Sequence, residues 1–169
     1  SGLPPSCAKR LMAASVLQRV MDPLVPEAGG VFTLTVTVLV ASGHGVVIAD
    51  DFSNSKPAVK DRLEQIVGRP LTLHEVDLCD EEATERVFAA EPIDAVIHFA
   101  GFKSVGESSA KPLDYYRNNL ASTFSLLSAM ANHEVKTLVF SSSATVYGAN
   151  PPLPMTEDLP TSAINPYGW

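Results

Sequence analysis

Cysteine is scarce in this chain, and its two residues, Cys7 and Cys79, stand far apart without metal-ligand spacing. That excludes a disulfide scaffold and a clustered zinc site, and it suits a reduced, cytoplasmic setting. Long hydrophobic runs are also missing. The longest, near Val38 to Val40, is interrupted by threonines and closed by Ser42-Gly43, too short to span a membrane. Basic residues are outnumbered, 12 against 19 acids for a net charge of −7, and they are scattered, which argues against a nucleic-acid surface. Repeats and low-complexity tracts are absent too. What is present is 169 residues, 46% of them hydrophobic, enough for one soluble α/β domain with a core and too few for a second of similar size.

The first residue is Ser, not Met, and Ser1 to Met21 carry Lys9, Arg10 and Arg19 with no acid. Organelle presequences share that composition, as do unrelated short helices. Ser6 is a candidate cap for a helix running to about Met21, since Met12, Val16 and Val20 recur every fourth residue before Pro23. Gly29-Gly30 reads as a flexible turn. For Val31 to Val40 two readings stand: alternation of Thr33, Thr35 and Thr37 with apolar residues favours a strand, whereas its place before Gly43 suits a first helix.

From Gly43 onward the pattern is regular. Val46 to Ala49 reads as a buried strand, and a helix opening at Pro57 has Val59, Leu63, Ile66 and Val67 on one face before Gly68 and Pro70 end it. A strand over Leu71 to Val76 follows, then a helix capped by Asp80 with Glu81 and Glu82 as solvated first-turn charges. Ala95 to Phe99 is a further strand, in which His98 reads as a hydrogen-bonded core histidine. Cys79 reads as a small filler. Leu113, Tyr116, Leu120, Phe124, Leu127 and Met130 mark one stripe of a long helix, either core or subunit surface. Thr137 to Phe140 is the last strand, and the proline-rich stretch after Gly148 is a loop. Alternating strands and helices with short connections predict a parallel sheet covered on both faces.

Four motifs stand in order: AVIHFAGFKSVGES from Ala95, KPLDYYRNN from Lys111, SSSATVYG from Ser141, and NPYG from Asn165. A serine at a strand's carboxyl end and a tyrosine opening a later segment form a hydroxyl pair suited to proton transfer beside a carbinol. In that combination the chain resembles the UDP-glucose 4-epimerase family of extended short-chain dehydrogenases/reductases, over Gly43 to Gly168. The resemblance implies a Rossmann-like doubly wound sheet, incomplete at its C-terminus. Residues 1–30 would be an atypical extension and residues 31–169 a partial NAD-binding domain, with the C-terminal substrate domain absent.

The cofactor implied is NAD. An acid after the second strand accepts hydrogen bonds from the adenosine ribose and repels a 2′-phosphate, and no arginine stands beside it here. The resemblance assigns Asp50, Asp51, Asn54 and Ser55 to the adenosine-side loop and Asp77 to the adenine. Phe99, Ala100, Gly101, Lys103, Asn118 and Ser141 follow as cofactor contacts, with Lys103 also facing substrate. Tyr167 would take the proton of the sugar 4-hydroxyl as C4 passes hydride to NAD. Ser143 shares that hydrogen bond and Thr145 lies against the substrate. The 4-keto sugar then turns over and regains hydride on its other face, interconverting UDP-galactose and UDP-glucose. Pairing of the long helix between subunits would make a homodimer.

Two departures stand out. The family's glycine fingerprint needs a third glycine where this chain has Val31, Phe32 and Leu34, side chains that take space beside the pyrophosphate. The family's tyrosine is followed one turn later by a lysine, and here Gly168 and Trp169 close the sequence. An unassisted phenol, with pKa about 10, is a poor base. These 169 residues alone are therefore expected to lack turnover. Another nucleotide-sugar epimerase or dehydratase is a weaker reading, since Ala144 and Thr145 provide no acid after the serines. A non-catalytic nucleotide- or subunit-binding chain is a third.

Overall fold

The computed structural model describes residues 10–14 and 28–169. Five strands, β1 (Arg10–Ala14), β2 (Gly45–Asp50), β3 (Thr72–Glu75), β4 (Ala95–His98) and β5 (Thr137–Phe140), form one parallel sheet in the order β3-β2-β1-β4-β5. Helices α1 (Ala28–Ala41), α2 (Ala58–Val67), α3 (Glu81–Ala90), α4 (Val105–Ala110) and α5 (Pro112–Asn132) connect them.

β2 shows how the two faces are filled. Side chains alternate along a strand, so Val46 and Ile48 join Phe32, Val36, Leu63 and Leu71 beneath α1 and α2. Val47 and Ala49 face the other way, toward Val87, Phe88, Leu126 and Met130 of α3 and α5. This is the doubly wound arrangement expected. Strand order reverses between β1 and β4, and ligands of such sheets bind outside the carboxyl ends at that point.

The N-terminal expectations are corrected. Arg10–Ala14 is a strand where a helix from Ser6 to Met21 was predicted; the rest of that stretch lies outside the described residues. β1 pairs with β2 on one side and β4 on the other, so the sheet draws its middle strand from the stretch before residue 31. Those two ladders outweigh a four-residue apolar spacing that fits either element. Gly29-Gly30 lies in the first turn of α1 and is no inter-element turn.

The ambiguous Val31 to Val40 is helical. Phe32 and Val36, one turn apart, are buried, whereas Leu34 and Val38 are exposed. Burial against β2 thus overrides the β-branched composition. Thr37 donates its hydroxyl to the Thr33 carbonyl, 2.8 Å, a back-bond that adds little to a helix. Thr37→Ala is expected to stabilise the fold by about 0.5 kcal/mol, seen as a higher urea midpoint.

Elsewhere local signals hold. Asp80 accepts from the Ala83 amide at 2.9 Å, as its capping assignment requires. Gly68 ends α2 at φ 71°, a left-handed cap that glycine adopts without strain. The α5 stripe is different: Leu113, Tyr116, Leu120, Phe124 and Leu127 are exposed, and only Met130 of that set is buried. The inward face instead carries Tyr115, Ser122, Ser125, Leu126 and Ala129. Among the described residues no helix is long and apolar enough to cross a membrane.

Candidate functional site

The residues singled out from the sequence fall at or beyond a strand's carboxyl end or on α5, except Tyr167, which lies in a turn far past β5. β2 finishes at Asp50, which is 2% exposed. Its Oδ1 accepts from the Phe52 amide at 2.8 Å and from the Ser55 hydroxyl at 3.3 Å. The loop turns tightly enough to hold Phe52 at φ 53°, the left-handed region unusual for an aromatic. Asp51 Oδ1 accepts from the amide and hydroxyl of Ser53, at 3.0 and 2.8 Å. Asn54 Oδ1 is buried without a hydrogen-bond partner among the described residues. A buried acceptor left bare costs about 1–3 kcal/mol, so this oxygen suits an incoming hydroxyl donor.

One small pocket lies between these ends, lined by Ala49, Asp50, Asp51, Asp77, Ala100 and Asn118. Asp77 is held by the Cys79 amide, 2.8 Å from its Oδ1. Cys79 is pushed up to about 11 by burial first and by Asp77 second, so its thiol is inert at neutral pH, as a filler should be. Asn118 lines the pocket, while Tyr116, Leu120 and Phe124 are exposed. Among the described residues no cluster suits a metal ion.

Beyond β4, Phe99 meets Phe32 of α1 edge to face, centroids 5.9 Å apart. Lys103 sets its ammonium 5.7 Å above the Phe99 ring, and burial holds its pKa below the usual lysine value. His98 is 2% exposed and is the core histidine expected. The Thr123 hydroxyl donates to the Asn119 carbonyl, 2.6 Å, so its lone pair accepts from His98 Nε2, 3.1 Å away. Nδ1 is then a bare acceptor, and it has no partner among the described residues.

Burial, with Lys103 second, lowers the His98 pKa from 6.5 to about 4. A depressed folded pKa gives stability that is whole above the unfolded value and lost on acidification. Between about pH 6.5 and pH 4 the fold is expected to lose about 3 kcal/mol through this group. Urea unfolding across that range should show the loss, and His98→Gln, which keeps a donor for Thr123, should remove that component.

The loop after β5 holds the second group. The Ser141 amide donates to the His98 carbonyl at 3.0 Å, continuing the β4–β5 ladder one residue. Ser143 Oγ lies 3.0 Å from Thr145 Oγ1 and accepts from the Thr145 amide at 3.2 Å. Asn165, 7% exposed, takes the Gly168 amide on its side-chain oxygen at 2.9 Å. That turn brings the segment of Tyr167 back to the serine loop. A Cβ on Gly168 would lie 3.0 Å from the Thr145 carbonyl oxygen and 3.2 Å from its hydroxyl.

Asn119 was missed from the sequence. Its Oδ1 accepts from the Phe102 amide at 2.8 Å and its Nδ2 donates to the Phe102 carbonyl at 3.1 Å. The signal was available in part, since Tyr115, Asn119, Ser122 and Leu126 recur at helical spacing.

Residues 31–169 match the NAD dependent epimerase/dehydratase family. The chain is 52% identical over 141 residues to a UDP-glucose 4-epimerase of Bacillus subtilis, covering 83% of this chain and 42% of that protein. It is 50% identical to one of Dictyostelium discoideum, covering 83% and 41%. Among solved structures, UDP-glucose 4-epimerase from Bifidobacterium longum in complex with NAD+ and UDP superposes with a TM-score of 0.82 at 44% identity, covering 95% of this chain and 45% of that one. The Stenotrophomonas maltophila enzyme, with bound NAD and formylated UDP-arabinopyranose, gives 0.80 at 36% identity, over 95% and 44%. The chain thus spans about two fifths of the length of the curated relatives it matches. With its sheet order, its strand-end residues and this match over most of its length, the chain belongs to the NAD dependent epimerase/dehydratase family.

Proposed function

We propose that this chain carries the NAD-binding part of a UDP-glucose 4-epimerase, which interconverts UDP-galactose and UDP-glucose through a 4-keto sugar. The observation that carries the reading is a pocket where Asp50, Asp51, Asp77, Ala100 and Asn118 meet, with the unpartnered Asn54 oxygen on the same loop after β2. These groups fit the adenosine end of the dinucleotide. Asp50 and Asn54 are acceptors suited to ribose hydroxyls, Ser55 steadies Asp50, and Asp77 is an acceptor suited to the adenine amino group. A 2′-phosphate would meet Asp50 and Asp51, so NAD is favoured over its phosphorylated form.

Bound NAD supplies a reversible hydride acceptor for the sugar's C4. The chain's own residues move the proton and hold the reactants. Tyr167 accepts the 4-hydroxyl proton and later returns it. Ser143 and Thr145, already 3.0 Å apart, offer hydroxyls to the same sugar oxygen. Phe99, Ala100, Gly101 and Ser141 border the cofactor, and Lys103 supplies the cation beside it. UDP-sugars are the substrates and the protein is cytoplasmic, with no nucleic-acid or membrane partner. The exposed Leu113, Leu120, Phe124 and Leu127 on α5 serve a homodimer.

The test is a chimera in which residues 43–169 replace the matching stretch of the Bacillus subtilis relative. UDP-galactose conversion by the folded chimera is expected, and the 169-residue chain alone should give none. A folded chimera that binds NAD and UDP yet never converts the sugar would contradict the reading.

A further inference from the structure

Beyond His98 no ladder continues β4 among the described residues, yet Phe99 to Lys103 must hold a fixed course along the site. Asn119 supplies what a neighbouring strand would. Its side-chain amide bonds both the N–H and the C=O of Phe102, at 2.8 and 3.1 Å. Gly101 lies flat against the same amide, and a Cβ there would sit 3.5 Å from Asn119 Oδ1. One turn along α5, Thr123 ties the Asn119 carbonyl to His98. The loop is therefore pinned to α5 at both ends, at His98 and at Phe102.

Two groups of the site depend on that pin. Lys103 is the residue after the clamped Phe102, and its ammonium stands over the Phe99 ring. Asn118 donates its Nδ2 to Asn119 Oδ1 at 3.0 Å. That bond fixes the rotation of the Asn118 amide, which lines the pocket, and its oxygen lies 3.9 Å from the Cys79 thiol. Three of the four hydrogen-bonding positions of the Asn119 amide are used, all on the loop or on Asn118.

We propose that Asn119 is a positioning residue, which holds the Phe99 to Lys103 loop by clamping the Phe102 peptide and so sets the stance of Lys103 and of the Asn118 amide toward the ligand. The role in ligand binding rests on the NAD reading above; the clamp itself does not. An aspartate at this position still accepts from the Phe102 amide but, once ionised, donates nothing to its carbonyl. Protonated, it regains a donor.

The experiment measures competitive acylation of Lys103 against pH in the 169-residue chain, read by peptide mass spectrometry, together with amide exchange at Phe102. In Asn119→Ala the Lys103 midpoint should rise toward that of a free lysine, and Phe102 exchange should quicken by about tenfold or more. In Asn119→Asp, which preserves size and one bond, Phe102 exchange should lie between the two at neutral pH and approach the wild type as the carboxyl protonates. If Asn119→Ala fails to fold, the Asn119→Asp comparison decides alone. A Lys103 midpoint and Phe102 exchange unchanged in the folded variants would overturn the proposal. NAD titration of the same proteins separates the two readings. Binding to wild type weakened about tenfold in Asn119→Ala supports both. No binding to wild type overturns the NAD reading, while the Lys103 profile still decides the clamp.

Discussion

Tyr167→Phe in the chimera of residues 43–169 is expected to lower conversion of UDP-galactose by about 100- to 10,000-fold, the range for loss of a positioned acid-base group. The expectation follows from where the turn 165–168 sits. Asn165 fixes that turn by accepting the Gly168 amide on its side chain and on its carbonyl. Gly168 then packs so tightly on Thr145 that no side chain would fit without displacement. The phenol's chain segment is thus anchored to the loop whose Ser143 and Thr145 hydroxyls already face one another. Phenylalanine keeps the ring and the turn and loses only the proton-bearing oxygen, so KM for the UDP-sugar should change far less than kcat. Ser143→Ala should cost less, because Thr145 still presents a hydroxyl. A Tyr167→Phe chimera as active as its parent would remove the tyrosine from the chemistry.

Phe32→Ala is expected to cost about 3–5 kcal/mol, a large share of the 5–15 kcal/mol typical of a domain. Phe32 is 2% exposed and packs with Val36, Val46, Ile48, Leu63 and Leu71, the cluster that fastens α1 and α2 to the sheet. Its ring also meets Phe99 edge to face, a pairing worth about 0.5–1.5 kcal/mol beyond burial. The loss should appear as a lower urea midpoint with an unchanged slope. Because Phe99 lies beneath Lys103, the change should also loosen the loop beyond β4. A loss below about 1 kcal/mol would mean that the site collapses around the gap and that α1 is held by other contacts.

Where local chemistry decides, the sequence was readable. β2, β4 and β5 fall on the predicted runs to within a residue, Asp80 caps its helix, and His98 lies in the core. Where partners decide, it was not. Arg10–Ala14 is a strand because two neighbours flank it, and no local spacing reveals a neighbour. Val31 to Val40 has the side chains of a strand, and only the burial of Phe32 and Val36 against β2 selects the helix. On α5 the sequence left its most hydrophobic stripe open between core and subunit surface, and that stripe is exposed apart from Met130, while Tyr115, Ser122, Ser125, Leu126 and Ala129 are buried. Asn119, on the side of Tyr115 and Ser122, carried no hydrophobic signal to mark it. The strand-end positions of Asp50, Asp77 and Ser141 were legible from the strand pattern, whereas Phe52's left-handed backbone and the Phe102 clamp required the fold.

NAD binding at the β2 end is the central claim, and titration calorimetry of the 169-residue chain tests it most directly, with Asp50→Ala as its partner experiment. Saturable binding to the wild type, weakened at least about tenfold in Asp50→Ala, is the predicted result, because a ribose hydroxyl bonded to a buried carboxylate is worth at least that much. Heat from NAD that is absent in the wild type, or identical in the variant, would contradict the assignment of this pocket to the dinucleotide.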